Sequence, residues 1–259
     1  MSQGEAKVER ANRAGAWQSA GVTHRGKVRR LNEDAFILRP DIGLWGVADG
    51  MGGHRAGDVA SRMIVEALAE LPQTQSFAER LDGIDDAMEL VNRALIEDEA
   101  GNGRGGLSGS TVAVLTIDDS GLGALLWAGD SRIYRYRHEH LEQLSTDHSQ
   151  VEEYVREGLI SRQEAATHPE ANVITRALGS HPDEVLEADL YHIETGDRFL
   201  LCSDGLVRHV SDDEIARVLA SRTPEQACEE LLERALARGG TDNTTIVVVD
   251  ILGLPGSAP

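Results

Sequence analysis

Residues 44–54 read LWGVADGMGGH, an apolar run that ends on a carboxylate and then breaks into glycines and a histidine. A short, uninterrupted apolar run of this kind predicts a buried strand over residues 44–48. Asp49 would then stand at the strand end, and the flexible Gly50 would let a backbone carbonyl approach the same point. An ordinary glycine turn into a following helix is the alternative, and this stretch taken alone favours it.

Other strand-like runs are short, and several of them are rich in β-branched residues. They lie at residues 17–23, 35–38, 110–117, 122–128, 132–137, 186–193, 198–203 and 244–251. Helical patterns lie at residues 59–71, 87–95, 149–157, 161–167, 212–220 and from 223 onward. The strands cluster instead of alternating with helices, which favours antiparallel or mixed sheets. We predict an α+β fold, a sandwich of two sheets with helices outside.

The chain divides into one main region and two short ends. Residues 1–16 are polar and predict a flexible N-terminal extension, and residues 252–259 predict a C-terminal tail. Residues 146–180 predict a small insertion carrying two short helices. The domain is therefore expected over residues 17–251.

The composition narrows the class of protein. Lys and Arg number 25 against 44 Asp and Glu, a net charge of −19, which disfavours nucleic acid and anionic lipid as partners. The first residues lack an apolar signal-peptide core, and no run approaches the roughly 20 apolar residues of a membrane span. Cys202 and Cys228 do not suggest a disulfide framework. We expect a soluble, cytoplasmic protein, and a monomer.

Carboxylates recur where strands begin or end. Asp130 follows LLWAG, Asp204 follows FLLCS, Asn32-Glu33-Asp34 precedes AFIL, and Asp242 precedes NTTIVVV. A single such aspartate is usually a turn former. Several that converge repel one another unless cations lie between them. Oxygen ligands suit Mg²⁺ or Mn²⁺, and no His/Cys set with zinc spacing is present.

Eight motifs together resemble one family. They are, in order, GKVRRLNEDA, VADGMGGHRAGDVAS, SGSTVAVL, AGDSRIYRYR, STDHS, HPEANVITRALG, LLCSDGL and GGTDNTTIVVV. The set is similar to the bacterial branch of the PP2C (PPM) metal-dependent Ser/Thr protein phosphatases, over about residues 17–251. The resemblance implies a four-layer α-β-β-α sandwich with a metal centre at one end, and it identifies residues 146–180 as a flap.

The resemblance also implies a set of metal ligands. It assigns Asp49 as the carboxylate bridging two Mn²⁺ or Mg²⁺ ions, with the Gly50 carbonyl on one of them. Asp204 and Asp242 correspond to ligands of the other ion and its water shell. Three further residues complete the set: Glu33 and Asp34 would hold metal-bound waters, and Asp130 would bind a third, weaker ion.

Other positions would contact substrate. Arg29 corresponds to the arginine that grips the substrate phosphate, with Arg30 as the neighbouring candidate. His54 could protonate the leaving alkoxide, although GMGGH departs from the family's form and a surface histidine is the alternative. Asn172 in the flap stands where some relatives have a serine near the third ion.

The implied reaction is hydrolysis of phosphoserine or phosphothreonine on proteins by direct attack of a metal-bridging water. The metals and Arg29 would neutralise charge on the phosphate oxygens. The expected partners are phosphoproteins, among them a bacterial Ser/Thr kinase and its targets. Related phosphatases without a membrane tail include partners of type VI secretion kinases.

Three alternatives remain open. Cys202 and Arg208 have the C-x5-R spacing of thiol phosphatases, but Cys228 and Arg234 share it on a helix, so the spacing has little specificity. A pseudophosphatase would bind phosphoproteins without turnover, and a two-metal nuclease is disfavoured by the charge. Basic walls near a phosphopeptide could come from five arginines: Arg55, Arg132, Arg135, Arg137 and Arg176.

Overall fold

The chain pairs its strands into two antiparallel sheets, described in a computed structural model over residues 7–52, 56–73, 76–102, 108–165 and 167–254. The first sheet contains, in spatial order, β1 (Lys7–Arg13), β2 (Trp17–His24), β12 (Thr244–Ile251), β11 (Arg198–Cys202), β8 (Arg132–Arg137) and β9 (His140–Gln143). The second contains β10 (Glu187–His192), β7 (Leu122–Ala128), β6 (Val112–Ile117), β4 (Leu44–Met51) and β3 (Asp34–Arg39), with the short β5 (Gly109–Ser110) paired to the end of β4.

Helices pack on the outer faces of both sheets. The second sheet is covered by α1 (Ala56–Ala69) and α2 (Phe77–Asn102), and the first by α5 (Asp204–Val207), α6 (Asp212–Leu219) and α7 (Pro224–Ala237). The segment 146–180 carries α3 (Gln150–Arg156) and α4 (Arg162–Ala165). None of the helices in the described residues combines the length and apolar character that a membrane span requires.

Three apolar layers hold this arrangement together. One lies between α1, α2 and the second sheet, one between the two sheets, and one between the first sheet and α6 and α7. In the middle layer the rings of Trp17 and Trp45 meet edge to face, with centroids 5.5 Å apart. The predicted four-layer α-β-β-α sandwich is therefore confirmed.

Local sequence explains where α7 begins. Thr223 caps the helix through a reciprocal capping box with Gln226, and Pro224 occupies the first turn. The cap satisfies backbone donors that the first turn leaves free, and proline lacks such a donor. The predicted helix start is thus correct.

The prediction of a flexible extension over residues 1–16 is wrong for Lys7–Arg13, which form β1 and pair with β2 along their whole length. The polar sequence KVERANR has no apolar periodicity from which a strand could be predicted. The strand forms because its backbone groups hydrogen-bond to β2, which does not require apolar side chains. The strand β9 and the helix α5 were not predicted either.

The boundaries of the domain over residues 17–251 and of the C-terminal tail over residues 252–259 stay predictions.

Two strand boundaries also differ from the prediction. β4 does not end at Ala48 but continues through Asp49 to Met51, because Asp49 pairs with Asp34 of β3. The predicted strand 110–117 is divided at Thr111, whose N–H donates to the Asp49 carbonyl at 2.9 Å. The carboxylate therefore lies inside a paired strand and is held by neighbours on both sides.

Burial between the sheets predicts a large stability difference between two strand leucines. We expect Leu201→Ala to lower the free energy of unfolding by about 2–5 kcal/mol, since Leu201 is fully buried in the inter-sheet layer and its removal leaves a cavity. Urea unfolding followed by circular dichroism measures this. Leu190→Ala on β10 is the matched control, because Leu190 is 63% exposed. Equal losses for the two variants would contradict the layering.

Candidate metal centre

Five chain segments bring acidic residues to one end of the sandwich. Asp34 begins β3 directly opposite Asp49 on β4. Asp204 follows β11 and Asp242 precedes β12, and these two strands pair with each other up to Cys202 and Ile246. Asp130 lies between β7 and β8. The sheet pairing thus collects residues that are far apart in sequence.

The Asp49 backbone is fixed from two directions. Its carbonyl accepts hydrogen bonds from the Thr111 N–H at 2.9 Å and from the Ser110 hydroxyl at 3.0 Å. The Thr111 hydroxyl accepts from the Asp49 N–H at 3.2 Å and contacts the Ser131 hydroxyl at 2.7 Å. A buried network of this kind leaves the Asp49 backbone little freedom and fixes the point from which its side chain projects.

Position 50 requires glycine for a different reason from the flexibility that we predicted. A Cβ at this position would overlap the carbonyl group of Gly57 and come too near the carbonyl oxygen of Glu33. The Gly50 N–H donates to that Glu33 carbonyl at 3.0 Å. Glycine is therefore needed for close packing of β4 against the start of α1 and the segment before β3.

Ser203 connects the acidic residues of the two sheets. Its hydroxyl donates to Asp34 Oδ2 at 2.8 Å and accepts from the Thr245 N–H at 2.9 Å. Ser203 is fully buried at the end of β11, directly before Asp204. This bond leaves the other Asp34 oxygen available.

Four carboxylate oxygens at this end are buried and have no hydrogen-bond partner: Glu33 Oε1, Asp34 Oδ1, Asp130 Oδ1 and Asp204 Oδ1. An ionised carboxylate only accepts hydrogen bonds, so burying such oxygens without a partner is costly. Hard divalent cations bind oxygen ligands of this type. The donor set therefore fits Mg²⁺ or Mn²⁺.

Burial and mutual repulsion disfavour the charged forms of these groups. Burial raises the pKa of Asp34 to about 7, and the charges of Asp204 and Asp242 act in the same direction. Burial likewise raises the pKa of Asp130 to about 7. The pKa of Asp49 lies well above its usual range, because it is buried and faces other carboxylates.

Two arginines lie among the carboxylates. Arg29 Nη2 donates to Asp242 Oδ2 at 2.7 Å, and Arg208 Nη1 lies 3.9 Å from the same oxygen. Arg208 also pairs with Asp204, four residues earlier. Sequence reasoning placed Arg29 here but considered Arg208 only as part of a cysteine motif. The four-residue spacing from Asp204, the first residue of α5, to Arg208, directly after its last residue, is the signal that could have revealed it.

The carboxylates do not form a closed ligand set by themselves. In the described part of the chain, no three His, Cys, Asp or Glu side chains are already grouped as metal ligands. Asp204 and Asp242 instead pair with Arg208 and Arg29. Each guanidinium offsets part of the carboxylate repulsion at this end of the sandwich.

The other predicted site residues fall outside this cluster or outside the described residues. His54 and Arg55 lie outside the described residues. Asn172 is exposed in the segment 146–180, and Arg30 is exposed with no ion pair to any described residue. Four of the arginines considered for a basic wall are engaged by carboxylates: Arg132 by Asp147, Arg135 by Glu142, Arg137 by Asp197 and Arg176 by Glu184.

Both cysteines are unsuited to nucleophilic attack. Cys202 lies in β11 and Cys228 in α7, and both are fully buried. Burial raises the pKa of the Cys202 thiol to about 12. A thiolate nucleophile needs a lowered pKa and access to substrate. The geometry therefore disfavours the thiol mechanism.

The raised pKa values predict that the metal-free protein loses stability as pH rises. The unfolded state releases the Asp34 and Asp130 protons near pH 4, but the folded state keeps them until about pH 7. The free energy of unfolding should therefore fall between about pH 5 and pH 7, by on the order of 1 kcal/mol per pH unit. Urea unfolding in the presence of a chelator measures it.

Two variants check this assignment. Asp34→Asn should give a shallower pH dependence, since the neutral amide has no proton to lose. Asp41→Asn should keep the wild-type slope, because the hydrogen bond from Arg39 lowers the pKa of Asp41. A stability that rises or stays level over this pH range would contradict the assignment.

Comparisons with known proteins agree with this geometry. Residues 20–240 match the family model described as protein phosphatase 2C. The chain is 38% identical over 234 residues to the serine/threonine protein phosphatase PstP of Mycobacterium tuberculosis, covering 90% of this chain but only 45% of that relative. It is 36% identical over 240 residues to the serine/threonine phosphatase stp of Listeria monocytogenes, covering 88% of this chain and 93% of the relative.

Solved structures show the same fold. One is PppA, described as a key regulatory component of T6SS in Pseudomonas aeruginosa, with a TM-score of 0.84, 39% identity, and 91% and 98% of the two chains covered. Another is the catalytic domain of PstP in complex with two manganese ions, with a TM-score of 0.82, 34% identity, and 92% and 99% covered. The matched family is metal-dependent. By family model, sequence identity and fold, the chain belongs to the protein phosphatase 2C family.

Proposed function

We propose that this chain is a metal-dependent phosphatase that hydrolyses phosphoserine and phosphothreonine on proteins. The observation that carries the proposal is the group of buried, unpartnered carboxylate oxygens beside the Arg29 guanidinium. Oxygen ligands for hard cations and a group able to bind phosphate lie at the same end of the sandwich. Their combination is what phosphoryl transfer to water requires.

The proposed ligands follow the predicted assignment. Asp49, the Gly50 carbonyl, Asp204 and Asp242 would hold the two divalent ions. Glu33 and Asp34 would hold water at the site, and Asp130 would hold a third, weaker ion. Support comes from their convergence at one end of the sandwich and from the unpartnered oxygens. When bound, divalent ions acidify a water and neutralise charge on the phosphate oxygens.

The chain's own residues orient the substrate and the ligands. The Arg29 guanidinium can hold two phosphate oxygens at once, and its present hydrogen bond to Asp242 keeps it at the site. Ser203 fixes one Asp34 oxygen and so orients the other. His54 is proposed to donate a proton to the leaving alkoxide. No covalent intermediate on the protein is required.

The alternatives make opposite predictions for one assay. We expect chelator-treated protein to hydrolyse a phosphothreonine peptide only after Mn²⁺ is restored, with thiol alkylation having no effect. Activity without metal that alkylation removes would support Cys202 as nucleophile. Absence of activity in every sample would favour a pseudophosphatase.

Replacing the proposed bridging carboxylate should remove activity without unfolding the protein. We expect Asp49→Asn to lower kcat by roughly a thousandfold or more, because a neutral amide would hold divalent cations much more weakly than a carboxylate does. The loss of a buried repulsive charge should leave the metal-free variant at least as stable as wild type. Steady-state kinetics and thermal melts measure both effects. An active Asp49→Asn variant would contradict the two-metal assignment.

Arg208 should compete with metal for Asp204. We expect Arg208→Gln to tighten Mn²⁺ binding roughly fivefold to tenfold, since the wild type must break an ion pair worth about 1 kcal/mol before Asp204 becomes free. Isothermal titration calorimetry of Mn²⁺ into metal-free protein measures this. The control is Arg93→Gln, which removes an exposed four-residue-spaced pair with Glu89 on α2. Weaker Mn²⁺ binding by Arg208→Gln would show that Arg208 assists the metal.

The partners follow from the activity. We propose a bacterial Ser/Thr kinase and its targets as the source of substrates, by analogy with the named phosphatase relatives. The cytoplasmic location and the monomeric state stay predictions from the sequence.

A further inference from the structure

The loop between β2 and β3 concentrates positive charge in an acidic chain. Residues 25–31 read RGKVRRL and contain four of the chain's 25 Lys and Arg residues, whereas Asp and Glu number 44 in the whole chain. Arg25, Lys27, Arg29 and Arg30 are all exposed. The loop adjoins the site directly, because the Arg29 guanidinium donates to Asp242 at 2.7 Å.

Backbone hydrogen bonds hold this loop in one conformation. Asn243 Nδ2 donates to the carbonyls at both ends of the loop, those of Arg25 and Leu31, at 2.9 Å each. The Lys27 N–H donates to the Gly240 carbonyl at 2.7 Å. Gly26 has φ +75°, and a Cβ there would overlap the Asp242 carbonyl oxygen. The cations are thus presented on a fixed backbone, which reduces the entropy lost on binding.

Charges in this loop are available to a ligand. Among the described residues, neither Lys27 nor Arg30 makes an ion pair, and the Arg25 side chain contacts only the Arg29 carbonyl. By contrast, the four described arginines that were expected to form a basic wall are paired with carboxylates. Val28 and Leu31 are 66% and 42% exposed and place apolar surface between the cations.

We propose that the loop 25–31 is the docking surface for acidic residues that flank the phosphorylated residue of the substrate. The inference rests on the proposed phosphatase activity and names its substrate class. Arg29 takes the phosphate, while Lys27 and Arg30 attract carboxylates beside it and Val28 and Leu31 cover an aliphatic neighbour. The chain as a whole carries a net charge of −19, so this basic loop offers an acidic segment a more favourable contact than the average surface of the protein does.

The experiment compares three phosphothreonine peptides that differ only in the flanking residues, which are acidic, neutral or basic. The Mn²⁺-loaded full chain should hydrolyse the acidic peptide with a kcat/KM roughly fivefold to twentyfold above the neutral one, mainly through KM. The basic peptide should be the poorest substrate. The preference should shrink at about 0.5 M salt, where exposed charges are screened. p-Nitrophenyl phosphate, which has no flanking residues, reports the chemistry separately.

Variants locate the preference in the loop. Lys27→Gln combined with Arg30→Gln should reduce the acidic-to-neutral ratio of kcat/KM to near one. The matched control is Arg93→Gln combined with Arg217→Gln, which changes the net charge equally on the outer helices α2 and α6. That control should keep the wild-type ratio. Thermal melts check that both double variants are folded.

The outcomes separate this inference from the proposed function. Turnover of p-nitrophenyl phosphate and all peptides without an acidic preference would overturn the docking surface and leave the phosphatase intact. A preference that persists in the Lys27/Arg30 double variant would also overturn it. No turnover of any compound by Mn²⁺-loaded protein would overturn the proposed function and the inference with it.

Discussion

The buried carboxylates at one end of the sandwich repel one another, and the fold must hold them together against that repulsion. Asp34 and Asp49 face each other across paired strands, and Asp130, Asp204 and Asp242 reach the same end from three other connections. The ionised form of these carboxyl groups is unfavourable, as the raised pKa values of Asp34, Asp49 and Asp130 indicate. Two extensive sheets packed through an apolar layer supply the stability that keeps the carboxylates together.

The repulsion between the carboxylates also explains why two arginines lie beside them. Arg208 and Arg29 each pair with a carboxylate at the site, so the chain itself supplies positive charge beside the carboxylates. A tethered cation lowers the repulsion in the metal-free protein, yet it competes for the same oxygens. The carboxylates at this end of the sandwich therefore favour binding of divalent cations, and the two arginines offset their charge only in part. Binding of divalent ions and rearrangement of these arginines are expected to be coupled.

Supporting residues matter as much as the acidic ones. Asn243 contacts the Glu33 N–H through its carbonyl oxygen at 2.8 Å and holds both ends of the loop 25–31 through its amide nitrogen. One buried side chain thus positions an acidic residue of the site and the basic loop beside it. The acidic residue Glu33 and the basic loop are therefore held in position by the same side chain.

The layers, the strand-end carboxylates and the family could all be predicted from the sequence, because apolar periodicity is a local property and the motifs are recognised in their order along the chain. The sequence did not reveal β1, whose polar edge strand is specified by backbone pairing with β2. It explained Gly50 by flexibility, whereas the tertiary structure requires glycine there because Gly57 packs against it. Which basic side chains pair with carboxylates also depends on the tertiary structure. Arg132 and Arg137 contact carboxylates of other segments, whereas Lys27 and Arg30 make no ion pair to the described residues, since charge pairing depends on which strands the fold brings together.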